Sequence, residues 1–277
     1  MKADCHIHMV LDGVEWRSAI HRHAGVPDVA FIRDQLQTYQ RLGYTYLRDG
    51  GDRWGVGAAA RVLAEEYGIA YRTPLAPLCF RGHYGSFIGI VYEDLREYAR
   101  LVEQQRQAGA DFIKIMISGL MDFHQFGVLT EPGLPPEMIR QLIHIAHEEG
   151  MAVMAHANGG DTVLAAAAAG VDSVEHGAYL HADALVAMAE MGTVWVPTVS
   201  TVGNLLGKER FPDAQVAQIL ESTLQNLSEY QGLVASGTDA GAWAVPHGST
   251  TEEGWLAQAG ITEARLQAGA ETIIEKF

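Results

Sequence analysis

Apolar residues fall in short runs that alternate with longer amphipathic stretches along the whole chain. The short runs, at residues 3–10, 44–48, 70–78, 111–118, 152–156, 173–175, 194–199 and 233–237, have the length and composition of strands. The stretches between them, at 28–42, 55–67, 92–109, 136–149, 161–169, 182–191 and 214–231, carry helical spacing. A glycine stands where each of several helices stops, at Gly43, Gly68, Gly109, Gly150, Gly170, Gly192 and Gly232. Glycine takes the left-handed conformation of a helix C-terminus without steric cost.

Strand, loop and helix thus repeat at roughly the 30-residue scale of a βα unit. That alternation fits a closed parallel barrel and a doubly wound open sheet equally well. The polar residues separate the two, because His, Lys and Asp fall near the ends of the strand candidates. A barrel converges such positions, whereas an open sheet spreads them along an edge. The expected fold class is α/β, a (β/α)8 TIM-type barrel, and the 277 residues suit a single domain over 1–277. Connections at 11–27, 79–90 and 119–135 are longer than usual and are candidate functional loops.

Composition narrows the partners. Hydrophobic residues make up 48% and charged residues 19%, as in ordinary soluble globular proteins. Acidic side chains outnumber basic ones 34 to 19, and the net charge of −15 repels nucleic acid and anionic membranes. The longest apolar stretch, 162–171, is Ala-rich and helical rather than a transmembrane run. Cys5 and Cys79 are the only cysteines and no signal-peptide pattern precedes Cys5, so the expected location is cytoplasmic. The expected partner is a small-molecule substrate, and a homo-oligomer is compatible with all of this.

The chemistry-bearing residues sit on those strands. In Asp4-Cys5-His6-Ile7-His8, alternation sends His6 and His8 to one face, where two imidazoles can chelate an ion. Alone, the motif fits a surface coincidence or a pair of satisfied core histidines about as well. Lys114 lies in the apolar run Phe112-Ile113-Lys114-Ile115-Met116-Ile117, where an unpaired ammonium is costly. An ion pair with Asp49 or Asp239 answers that, and so does a neutral amine converted by CO2 to a carbamate bridging two cations; physics alone favours the ion pair. His156 and His176 end the fifth and sixth strand candidates and Asp239 follows the eighth, each next to small residues that admit a ligand. Each could singly be a helix cap or a satisfied core group.

Together, His-x-His on strand one, Lys on four, His on five, His on six and Asp on eight resemble the amidohydrolase superfamily. The wording Tyr46-Leu47-Arg48-Asp49-Gly50-Gly51, Ala155-His156-Ala157, Glu175-His176-Gly177 and Gly237-Thr238-Asp239-Ala240-Gly241 is similar to its imidazolonepropionase and Xaa-dipeptidase branch. The resemblance implies that His6, His8 and Asp239 hold one divalent ion, with zinc the expected metal, that His156 and His176 hold a second, and that carbamylated Lys114 bridges them. It reverses the preference for an ion pair at Lys114. The motif begins at Asp4, which leaves no preceding half of the family's accessory β-sandwich, and Thr262-Glu263-Ala264-Arg265 replaces the expected Ala/Thr/Asn-rich helix. The imidazolonepropionases lack the strand-four lysine, so Lys114 argues against that reaction.

The implied function is metal-dependent hydrolysis of a C–N bond in an amide, peptide or cyclic amide, by attack of metal-activated water on a carbonyl. Asp239 would shuttle the proton, His176 would position the carbonyl, and His83 in Arg81-Gly82-His83-Tyr84-Gly85 is the candidate for stabilising the oxyanion. Arg17, His21, Arg22 and His23 in the first loop, Phe123 and His124 in the fourth, and Trp243 and His247 after strand eight could form a cationic, aromatic pocket for a carboxylate-bearing substrate. The competing reading is a barrel that binds a metal or ligand with little or no turnover.

Overall fold

The computed structural model describes residues 2–277. Nine strands appear in chain order: β1 Lys2–Ile7, β2 Tyr44–Asp49, β3 Ala70–Arg72, β4 Leu78–Phe80, β5 Ile90–Tyr92, β6 Ile113–Met116, β7 Val153–Ala157, β8 Ser173–His176 and β9 Val194–Val196. All pair in parallel, in ladders of order β1-β2-β3 and β5-β4-β6-β7-β8-β9. The wall is a TIM-type barrel, and its hydrogen-bond ring is not closed.

One interruption lies in the third strand, expected as a single run over 70–78. Pro74 and Pro77 stand inside it and have no N–H to give to a ladder. β3 therefore stays with β2, while β4 pairs with β6 and carries β5 on its other edge. The eighth strand candidate, 233–237, is bonded on both sides without forming a ladder. Trp195 N donates to Leu233 O at 2.9 Å and Ala235 N to Trp195 O at 3.0 Å. On the other side Cys5 N donates to Ser236 O at 2.9 Å, Asp239 N to His6 O at 2.7 Å and His8 N to Ala240 O at 2.7 Å.

Each strand position is followed by a helix: Val29–Arg41, Val56–Ala64, Leu95–Gln107, Pro136–Glu148, Gly160–Ala168, Ala182–Met191, Asp213–Glu229 and Glu263–Lys276. Asp28, Asp94 and Thr262 cap three of them by accepting from backbone N–H groups of the first turn. Short helices Trp16–Arg22, Ser200–Gly203 and Thr251–Gln258 lie in the connections and are too brief for hydrophobic period to reveal. No antiparallel sandwich is present among the described residues, and no helix among them is long and apolar enough to cross a membrane.

The last helix closes the barrel floor. Ala270, Ile273 and Phe277 pack with Cys5, Tyr46, Phe112, Met154, Val194, Val196 and Ala235. Gly269 lets it approach, because a Cβ there would lie 2.1 Å from Val234 O. Gly to Ala inside a helix ordinarily stabilises by roughly 0.5–1 kcal/mol. At this position the added methyl meets backbone, so Gly269→Ala is expected to destabilise by about 1–3 kcal/mol in urea unfolding. A gain in stability would show that the helix is not docked on the floor.

Candidate metal centre

His6 near the end of β1 and His8 just beyond it bring their rings together at the C-terminal mouth of the barrel. Their Nε2 atoms are 3.4 Å apart, and Asp239 Oδ1 lies 3.6 Å from the first and 3.4 Å from the second. Three donors at 2.0–2.1 Å from a tetrahedral ion are about 3.3 Å from one another, so this triangle is the size such an ion needs. All three residues are buried, and Asp239 Oδ1 has no hydrogen-bond partner among the described residues. Gly50 makes room for His8, since a Cβ there would fall 2.2 Å from His8 Cε1.

The other predicted donors adjoin this triangle. Ring centroids of His6 and His176 are 5.3 Å apart, and those of His156 and His176 4.5 Å. His156 Nε2 lies 3.2 Å from Gly119 O, which can only accept, so Nδ1 is left as the free lone pair. His176 Nδ1 is 2.7 Å from Thr198 Oγ1, which leaves Nε2. His176, Asp239 and Thr198 have φ of 69°, 56° and 48°, a strained region for non-glycine residues that is concentrated at functional sites.

Lys114 is buried, and its Nζ has no hydrogen-bond partner among the described residues. Asp49, one carboxylate the sequence offers it, is instead held by Met9 N at 3.1 Å and Thr73 Oγ1 at 3.3 Å. Burial pushes the Lys114 ammonium down and the Asp239 carboxyl up. Burial, then the nearby Lys114 charge, pushes His8 and His156 down to about 3. His6 and His176 are held well below the usual range, chiefly by burial. The imidazoles are thus neutral donors at neutral pH.

A cavity of about 730 Å³ opens above these groups, with His8, Lys114, His156, His176 and Asp239 in its lining. Of the predicted pocket residues, Arg17, Phe123, His124 and Trp243 line it. His21 and Arg22 face outward from the helix Trp16–Arg22, and Arg22 Nη2 bonds Asp12 Oδ2 at 3.2 Å. His23 is buried and accepts from Asp28 N at 3.0 Å. His247 lies behind the wall, with Nε2 3.0 Å from Leu11 O and Nδ1 3.0 Å from Tyr39 Oη. His83 stands outside the lining, with Nδ1 3.8 Å from Glu131 Oε2.

Its neighbour Tyr84 lines the cavity instead, with its ring 4.8 Å from that of His156 and its N–H donated to Glu131 Oε2 at 2.7 Å. In an irregular turn, consecutive side chains point apart without a period to tell which one enters. Arg210 also lines the cavity, stacked 4.3 Å over Trp243. The run Lys208-Glu209-Arg210-Phe211 after β9 was the signal for it.

An eight-position parallel barrel with imidazole, amine and carboxylate groups at the C-terminal ends of its strands defines the class. The chain belongs to the amidohydrolase family, whose model matches residues 58–250. It is similar to ochratoxinase of Aspergillus niger, 28% identical over 182 residues that cover 62% of this chain and 36% of that protein. The chain therefore spans little more than a third of that relative. In fold it is similar to a Xaa-Pro dipeptidase solved with methionine in its active site, with TM-score 0.77, 22% identity and coverage of 99% of this chain and 75% of the other. Crystalline A. niger ochratoxinase gives TM-score 0.73 at 20% identity, covering 96% and 70%.

The placement of His247 sets a pH dependence. Burial lowers it from 6.5 to about 4, so the folded chain holds it neutral. Its contribution to stability is fully present above 6.5 and is lost as pH falls toward 4, because the unfolded chain then takes up the proton first. The stability difference between the native protein and His247→Gln is expected to be largest near neutrality and to narrow at pH 5 in urea unfolding. A difference that does not change with pH would refute this.

Proposed function

We propose that the chain is a metal-dependent hydrolase, acting as one domain, that cleaves a carbon–nitrogen bond in an amide, peptide or cyclic amide. The observation that carries this reading is the buried triangle of His6, His8 and Asp239, sized for an ion and open to a large cavity. A bound divalent ion supplies Lewis acidity and a water of lowered pKa. Imidazole and carboxylate donors suit zinc. His156 and His176 present free ring nitrogens for a second ion, and Lys114 would bridge the two as a carbamate. Its unpartnered, buried Nζ supports this, because burial favours the neutral amine that adds to CO2 and then loses a proton.

Asp239 takes the proton of the attacking water at its carboxylate and hands it to the leaving nitrogen. His176 orients the substrate carbonyl. The Tyr84 hydroxyl, rather than His83, donates to the carbonyl oxygen as charge develops there. Arg17 and Arg210 stand at the cavity to take a substrate carboxylate, and the charge of Arg17 is partly offset by Glu15 at 3.9 Å. Dipeptides, the class named for the Xaa-Pro dipeptidase, fall within this range. Cys5 and Cys79, buried and unpaired, fit a reducing compartment such as the cytoplasm.

Elemental analysis after metal-supplemented expression should find at least one equivalent of zinc or a similar ion, and less would sink the proposal. Joint replacement His6→Ala and His8→Ala should remove metal and hydrolysis of a dipeptide and cyclic-amide panel together. Metal without turnover in the native protein would leave a ligand-binding barrel. Within an active enzyme, Tyr84→Phe should lower kcat by roughly 10²–10³-fold, with His83→Ala near the native rate. The reverse order would return the oxyanion role to His83.

A further inference from the structure

On the side of His6 away from its partners in the triangle, the barrel interior holds a cluster that the proposed chemistry does not use. Glu175, from β8, places Oε2 2.8 Å from His6 Nδ1, within ion-pair distance though off hydrogen-bond alignment. Its Oε1 accepts from Arg48 Nη2 at 2.9 Å and from Ser173 Oγ at 2.6 Å. Arg48, from β2, also donates from Nε to Cys5 O at 2.7 Å and from Nη1 to Ser173 Oγ at 3.0 Å. Its guanidinium lies 4.5 Å from the ring centre of Phe277 on the barrel floor. Arg48 and Glu175 are both fully buried.

An ion pair this deep returns little net stability over apolar side chains of the same volume, so stability alone does not account for it. We propose that Arg48 and Glu175 are positioning residues for His6, acting from behind it to fix which ring nitrogen faces His8 and Asp239. The purpose rests on the reading of His6 as a metal ligand, whereas the geometry does not. An ionised carboxylate can only accept, so the single N–H of a neutral imidazole is drawn to Nδ1 and Nε2 is left as the lone pair facing His8 and Asp239. Arg48 donates to Glu175 and to Ser173, and Ser173 in turn donates to Glu175, so the carboxylate is held in one orientation. His156 and His176 have a carbonyl and a hydroxyl beside one ring nitrogen, so His6 alone of the three is backed by a carboxylate.

Nitrogen-15 NMR of the metal-free native protein, with His6 assigned by its loss in His6→Asn, should show protonated Nδ1 and bare Nε2. A His6 protonated at Nε2 overturns the inference. Glu175→Gln should weaken zinc binding roughly 10–100-fold in competition with a chromophoric chelator. Because that variant strands the Arg48 charge in the core, a second one replaces the pair by apolar side chains, Arg48→Met with Glu175→Leu. Such replacements leave folding intact or improve it, so a folded protein with weakened zinc binding supports positioning. Native zinc affinity in the folded pair variant overturns it. If the native protein binds no zinc, the metal reading fails while the tautomer measurement still decides the role of Glu175.

Discussion

Ionisable groups buried along the axis of a barrel have to be matched from inside, and that requirement organises this molecule. Arg48, Glu175, Lys114, Asp4, Asp49 and four histidines all lie out of water. Each unmatched charge there costs several kcal/mol, so strands must be held where partners coincide. Arg48 ties β2 to β8 and to the backbone of β1. Asp4 accepts from Thr238 N at 2.9 Å and Thr238 Oγ1 at 2.6 Å, which pins the last strand segment to the first where no ladder forms. Burial pushes Asp4 up to about 6, and these donors pull the other way. The polar interior therefore does part of the work of register that backbone ladders do elsewhere.

The same requirement shapes the mouth. Asp239 and His176 occupy left-handed backbone, and glycines at positions 50 and 237 leave space that β-carbons would fill against His8 and His6. A site of neutral imidazoles beside an unpartnered lysine and a carboxylate is poorly satisfied by itself, which is the condition a bound cation relieves.

Much of this was legible in the chain. Period-two alternation put His6 and His8 on one face, and glycine stops marked most helices. The split third strand was less so, although Pro74 and Pro77 were visible, because the hydrophobic run continues through them. Loop residues were read least well. His247 has the composition of a pocket residue, yet two hydrogen bonds hold it behind the wall. Tyr84 and His83 differ by a single place in a turn without period. Arg48 stood in a recognisable motif, but its partner is 127 residues away, a separation that local pattern does not encode.

The seam between the first strand and the last segment has a consequence for how the protein is made. Asp4 and Thr238 are 234 positions apart, so the contacts joining them are among the most non-local in the fold and carry the largest delay in forming. Synthesis proceeds from the N-terminus, and His6 and His8 leave the ribosome long before Asp239 exists. The two imidazoles wait, while everything between them and position 239 is made, for the carboxylate that completes their triangle. Completion of the triangle and docking of the last strand segment on the first are then one event, so the three donors come together only in a chain that has finished folding.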